Sequence, residues 1–178
     1  MRSVSLGAGG TLKEFEKRAL ERAGGGFLLP VTLVEGADGT RLLYRTDGYT
    51  ALSEYAPPDL TAVFEIARSF ILRLTEGRDR LLDPRGFFVS PDAVYVRGDL
   101  PEIGLIFGMR GASAATDADL AMPVLDALSE SRHIVGAMSA VGRIADRIRD
   151  VNAGFPDMRR IIDAVEREWR RIQPEMRA

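Results

Sequence analysis

Apolar residues at helical spacing open the chain. Leu12, Phe15, Ala19 and Leu20 form one stripe, Thr11 followed by Glu14 fits a capping box, and Gly24-Gly25-Gly26 closes the helix after a Gly-rich start expected to fray. Phe27–Val34 and Leu42-Leu43-Tyr44 are strand-like runs. The turn composition Gly36-Ala37-Asp38-Gly39 between them predicts a β-hairpin, with Pro30 confining the first strand to an edge or a bulge. Asp59 can cap a helix that carries Leu60, Val63, Phe64, Ala67, Ile71 and Leu74, widened by Phe70 and stopped at Gly77. Three short runs, Gly86–Ser90, Ala93–Arg97 and Ile103–Phe107, alternate with turns, which predicts a β-meander or a hairpin with a third short strand.

Beyond the small-residue linker Gly111–Ala115 the period returns to helical. Asp117 can cap a helix bearing Leu120, Val124, Leu125 and Leu128, which Pro123 starts or kinks. Ile134, Met138, Val141, Ile144 with Ala145, Ile148 and Val151 then recur at alternating spacings of three and four, the pattern of a helix packed lengthwise on another. Asn152–Pro156 supplies a cap and a helix-starting proline. Met158, Ile161, Ile162, Val165, Trp169 and Ile172 make the complementary stripe of an antiparallel helical hairpin. The expected core joins Phe27, Leu29, Val31, Leu43, Phe64, Ile71, Phe88, Val94, Val96, Leu105 and Phe107.

Composition removes several function classes. A chain of 178 residues with 46% hydrophobic content can build a packed core. It has no cysteine and a single histidine, so thiolate metal sites, His-paired ligand sets and most catalytic triads are excluded. No apolar run reaches the roughly 20 residues of a membrane span, and the first ten residues lack the apolar centre of a signal peptide, so a cytoplasmic location is expected. The net charge of -2 gives no field to steer nucleic acid; the basic side is almost entirely arginine, Lys13 and Lys17 being the only lysines.

The stretch Leu81–Gly108 has the hairpin grammar of a protein kinase without its chemistry. A kinase uses a catalytic-loop Asp to take the substrate proton, an Asn to hold magnesium and the Asp of Asp-Phe-Gly to hold another. The comparable places here read Arg85, Gly86 and Ile106, and the Ile106 side chain cannot coordinate a cation. Gly26–Val31, Leu43–Tyr55, Leu81–Pro84 and Val89–Val96 resemble an uncharacterised bacterial family. That family is the domain found N-terminal to forkhead-associated modules, itself similar to the cytosolic pseudokinase-like domain of type VII secretion proteins of the EssB/YukC kind. The resemblance covers residues from about 11 to 108 and rests on structural motifs. Gly86 departs from it, standing where the family has an amide or other polar residue, and neither a membrane span nor a forkhead-associated module follows.

The resemblance implies an α+β fold with a degenerate kinase-like arrangement of β-hairpins and helices in residues 1–110. A helical region follows at 116–178, packed on it or mediating self-association. Other candidate sites have structural readings that outweigh functional ones. Asp79, Asp83 and Asp92 lie in turns where an Asp side chain caps backbone, and His133 precedes an apolar helix, where capping or surface roles dominate. Gly104–Gly108 lacks phosphate-loop spacing and its lysine. Arg143, Arg147, Arg149, Arg159, Arg160, Arg167, Arg170 and Arg171 are interspersed with acids, as on a solvated helix face. No catalytic, cofactor-binding or metal residue is assigned. The expectation is a non-catalytic protein-interaction or scaffold module of a bacterial secretion or signalling system, with an unidentified protein partner and no nucleic acid. The alternatives are a nucleotide sensor or divergent enzyme with a ligand site in the cleft, and a helical module that dimerises through residues 134–172.

Overall fold

The computed structural model describes residues 1–5, 12–22, 26–37, 39–98, 102–108, 117–131, 133–150, 163 and 165–171. The fold is α+β. Its strands are β1 (Arg2–Ser5), β2 (Val31–Gly36), β3 (Gly39–Tyr44), β4 (Thr50–Ala51), β5 (Phe87–Phe88), β6 (Tyr95–Arg97), β7 (Glu102–Gly104) and β8 (Ile106–Phe107). Its helices are α1 (Glu14–Arg22), α2 (Leu60–Asp79), α3 (Asp117–Ser129) and α4 (Ala137–Asp150), and residues 165–171 are helical. No described helix is long and apolar enough to cross a membrane.

The β2–β3 hairpin forms as expected, with Gly36 opposite Gly39. Gly39 takes the left-handed backbone (φ 109°) that the tight turn demands. Pro30 precedes an edge strand, since the order is β1-β3-β2. The start expected to fray is instead an added strand in part, Arg2–Ser5 pairing antiparallel with Arg41–Tyr44. Leu43, expected in the core, is only half-buried, whereas Leu42 and Tyr44 are fully buried. Apolar residues occupy both phases of β3, so alternation alone could not choose a face. Val31 is likewise half-buried.

The later strands take the second of the two expected forms, a β6–β7 hairpin with β5 as a third short strand, rather than a meander. β5 pairs with β8 and β6 with β7, while β6 also pairs with β4, an element the sequence pattern did not mark. The segment Glu102–Phe107 therefore serves two partners in succession. Between them, Leu105 bridges in parallel to Leu28, held by Leu29 N–H to Leu105 C=O and Leu105 N–H to Phe27 C=O, both 3.1 Å. Phe88 lies half-buried and Phe87 inside, because neighbouring strand residues face opposite ways.

Helix starts and stops show where local chemistry decides. At α1 the reciprocal contact lies two residues beyond the expected capping box: the Glu16 carboxylate accepts the Lys13 N–H at 2.7 Å, and Thr11 lies outside the described residues. Phe15 leaves the expected apolar stripe and is 44% exposed. Asp59 caps α2 as its spacing predicts, accepting the Ala62 N–H at 2.8 Å. Gly77 does not stop α2, which continues to Asp79. Its missing side chain instead makes room for an aromatic, since a Cβ there would lie 2.7 Å from Phe87.

One hydrophobic core runs from Leu12 and the strands through α2 to α3, α4 and Val165. α2 lies between β7 and α3, with a 3-10 turn over Pro84–Gly86 against it, and α3 packs on α4. The expected α3 positions Leu120, Val124, Leu125 and Leu128 are buried, and Pro123 is accommodated inside the helix. The α4 stripe is rotated from expectation. Ala137, Ala140, Val141, Ile144, Ala145 and Ile148 are buried and Ile134 half-buried, but Met138 is 74% exposed and Val151 lies outside the described residues. Of the complementary stripe, Val165 is buried and Trp169 stacks on Phe64 at 5.2 Å between ring centroids. Met158, Ile161, Ile162 and Ile172 lie outside the described residues, as do the linker Gly111–Ala115 and the turn Asn152–Pro156.

Gly142 of α4 faces open space: among the described residues a Cβ there meets nothing within 4 Å. The same substitution therefore has opposite signs in two helices. Gly142→Ala should stabilise the chain by about 0.5–1 kcal/mol through helix propensity, and Gly77→Ala should destabilise it by about 1–3 kcal/mol by overpacking against Phe87. Urea denaturation of both variants checks this, and equal signs would contradict the packing described.

Candidate functional site

Gly86 and Ile106 come together beside an interior filled by aromatic rings. Phe87 stands edge-on to Phe107 at 5.2 Å and to Phe27 at 6.1 Å between centroids. Glycines lie beneath these rings: a Cβ at Gly86 would overlap the Phe107 ring, and one at Gly108 the Phe88 ring. Gly86 is thus a packing residue. Ile106 is buried, and the Arg85 side chain is exposed.

One phenol closes this region. The buried Tyr44 hydroxyl donates to Phe107 C=O at 2.8 Å and accepts Phe107 N–H at 3.1 Å. The bond that crosses toward β5 at this level joins Gly108 N–H to Gly86 C=O at 2.8 Å, so Tyr44 satisfies the other edge of the strand, which would otherwise be buried and unpaired. Burial pushes the Tyr44 phenol well above its ordinary range, against the opposing effect of the Phe107 hydrogen bond. The hydroxyl remains neutral and able to both donate and accept.

The turn residues weighed from the sequence have local partners. Asp83 caps the 3-10 turn by accepting Arg85 N–H at 2.9 Å. Asp92 is exposed in its turn, and its carbonyl accepts from Arg2, which also donates to the Tyr95 hydroxyl at 2.9 Å. Asp79 is exposed on the last turn of α2. His133 Nε2 lies 2.9 Å from Pro57 C=O, so the ring ties the start of α4 to the segment before α2. Among the described residues no group of three or more His, Cys, Asp or Glu is placed to hold a metal ion.

The arginines divide into a buried network and exposed groups. Glu168 is fully buried, and one of its oxygens takes both Arg143 and Arg171, the latter at 3.1 Å. Burial works to raise this carboxyl, yet the two guanidiniums outweigh it and hold it below the ordinary carboxylate range. Arg68 of α2 pairs with Glu166 beside it, while Arg147 and Arg170 are exposed. Arg149 has no described side chain, and Arg159 and Arg160 lie outside the described residues. Arg167 donates to Asp163 C=O at 3.1 Å within its own helical stretch.

Besides a depression of about 410 Å³ bordered by Arg2, Val4, Phe88, Ile106 and Gly108, two open regions stand out among the described residues. A cleft of about 540 Å³ lies between Leu52–Pro57, the Pro91-Asp92 turn and the end of α3, with His133 at its wall. Among the described residues its charged lining consists of Glu54, Asp92 and Glu130, with neither Lys nor Arg. The second region surrounds Leu81, which sequence reasoning passed over, because nothing in a Leu-Leu pair signals a left-handed backbone. Comparison with protein-family models, with curated proteins and with solved structures returns no match.

Tyr44→Phe deletes one oxygen and leaves two buried backbone groups without a partner. It should cost about 3 kcal/mol, the upper end for an unsatisfied buried group. Chemical denaturation measures this, and a loss under about 1 kcal/mol would mean that the phenol does not hold the strand.

Proposed function

We propose that the chain is a non-catalytic, pseudokinase-like protein-interaction or scaffold module of a bacterial secretion or signalling system. The supporting observation is that Tyr44 and the Phe27–Phe87–Phe107 rings fill the interior beside Phe107, and that the depression of about 410 Å³ at Ile106 and Gly108, where the resemblance would put a kinase's metal and phosphates, has no carboxylate among its described lining residues. Phosphoryl transfer needs cations on the phosphates and a positioned acceptor for the nucleophile's proton. The groups at the corresponding places are a solvent-exposed arginine, a glycine under a ring and a buried isoleucine. The assignment to secretion or signalling rests on the family resemblance of residues 11 to 108.

The alternative is a ligand sensor or divergent enzyme that uses the 540 Å³ cleft beside His133. Its described lining disfavours a nucleotide, whose phosphates would meet Glu54, Asp92 and Glu130 with no Lys or Arg among the described lining residues. The cleft suits a cationic or neutral small molecule better.

Isothermal titration and thermal shift with magnesium and ATP or GTP separate the two readings. The scaffold reading expects no heat and no shift at millimolar nucleotide, and blank autophosphorylation and generic-substrate assays with magnesium or manganese. Micromolar nucleotide binding, or turnover abolished by a substitution in the cleft, would overturn it.

A further inference from the structure

The end of α2 carries a backbone conformation that its residue type disfavours. Leu81 has φ 64°, the only positive φ among the described non-glycine residues. Its N–H bonds Arg78 C=O and the Leu82 N–H bonds Gly77 C=O, both at 2.9 Å, which is the paired C-terminal cap normally built on glycine. A leucine there is strained, and its side chain recovers little by burial, being 70% exposed. Strain kept at an exposed apolar residue is the kind of outlier that marks a functional position.

The surroundings of Leu81 fit a ligand of particular chemistry. It stands between two depressions, of about 340 and 360 Å³. The first is lined by Phe15, Ala19 and Leu81 together with Arg18, Arg22 and Arg80, and among the described residues no acidic side chain lines it. The second adds Arg78 and Arg85 on the far side of Leu81, with Asp83 committed to its own turn. Phe15, also exposed, completes an apolar floor with Leu81. Arg18 and Arg80 have intrahelical carboxylate neighbours, Glu14 at 3.3 Å and Glu76 at 3.4 Å, but Arg22 and Arg85 have no ion-pair partner among the described residues. Arg80 is further braced over the Phe27 ring at 5.5 Å. An apolar floor rimmed by guanidiniums, in a chain whose overall charge is -2, is a local and directional feature.

We propose that this surface, Phe15 and Leu81 within the Arg18–Arg22–Arg80 rim, docks an acidic segment of a partner protein that places one large apolar side chain against Leu81. The proposal deepens the interaction-module reading and rests on it. Carboxylates of the segment meet Arg22 within this rim in bidentate geometry, with Arg85 in the adjoining depression extending the basic surface past Leu81, and the apolar anchor covers Phe15 and Leu81.

The test uses the full chain and an unbiased random dodecapeptide library displayed on phage. Enriched peptides are then resynthesised with a fluorophore and titrated by anisotropy at low and physiological salt. Enriched sequences are expected to be acidic with a large apolar residue and to lose affinity with salt. Leu81→Gly and Arg22→Glu should each weaken binding by about tenfold or more. Leu81→Gly also relieves the left-handed backbone, so its melting temperature should rise by about 2 °C or more while binding falls. A merely structural Leu81 cannot produce that opposition. No enrichment, enrichment of basic or uncharged peptides, or binding unaffected by both variants would overturn this surface. So would Leu81-dependent binding to phosphatidylserine-containing vesicles without peptide binding. Those outcomes leave the nucleotide titrations intact as the separate test of the non-catalytic reading.

Discussion

The Tyr44 hydroxyl, bonded to both backbone groups of Phe107, is the interaction on which the strand layer depends. Tyr44 ends the central strand of the first sheet, flanked by β1 and β2, and Phe107 ends the long segment that β6, Leu28 and β5 share. Small sheets of two or three strands are marginal alone. Here they are joined into one layer by a phenol, a parallel bridge and a shared strand segment, so each supplies what the others lack. The aromatic rings above Gly77 and Gly86 then leave no room for side chains at those glycines, and hence none for substitutions that would reopen the space.

α2 transmits this arrangement to the helical half. Its glycine at 77 admits the Phe87 ring on one side, and Phe64 receives Trp169 on another. The C-terminal stretch is fixed to α2 and α4 by that ring contact and by the Arg68–Glu166 and Arg143–Glu168 pairs. The aromatic that would best anchor an intermolecular contact is thereby used within the chain. Among the described residues, Met138 and Val135 are the large apolar ones this half leaves exposed.

Much of the fold was legible because single residues with strong local rules mark it. Asp59 could only be a cap, Gly36–Gly39 could only be a turn, and the α3 stripe had one apolar phase. Legibility failed where tertiary contacts chose between equal local options. Leu42 and Leu43 are both apolar, Phe87 and Phe88 are identical in type, and the strand at Arg2–Ser5 exists because β3 offers an open edge. Gly77 looked like a helix stop by its own propensity, yet it serves the Phe87 ring. The candidate surface was less legible still. Arg18 and Arg22 of α1 are far in sequence from Arg80 and Leu81, and the two pairs are gathered by α1 lying beside the end of α2.

Native-state hydrogen exchange at the Phe107 amide tests the central claim most directly. If Tyr44 and the ring stack close the strand layer as a unit with α2, this amide exchanges only through global unfolding, with an opening free energy within about 1 kcal/mol of that of the buried α2 amides. Exchange through a local opening several kcal/mol cheaper would contradict the account, because it would mean that the space around Ile106-Phe107-Gly108 opens while the rest of the fold stays intact.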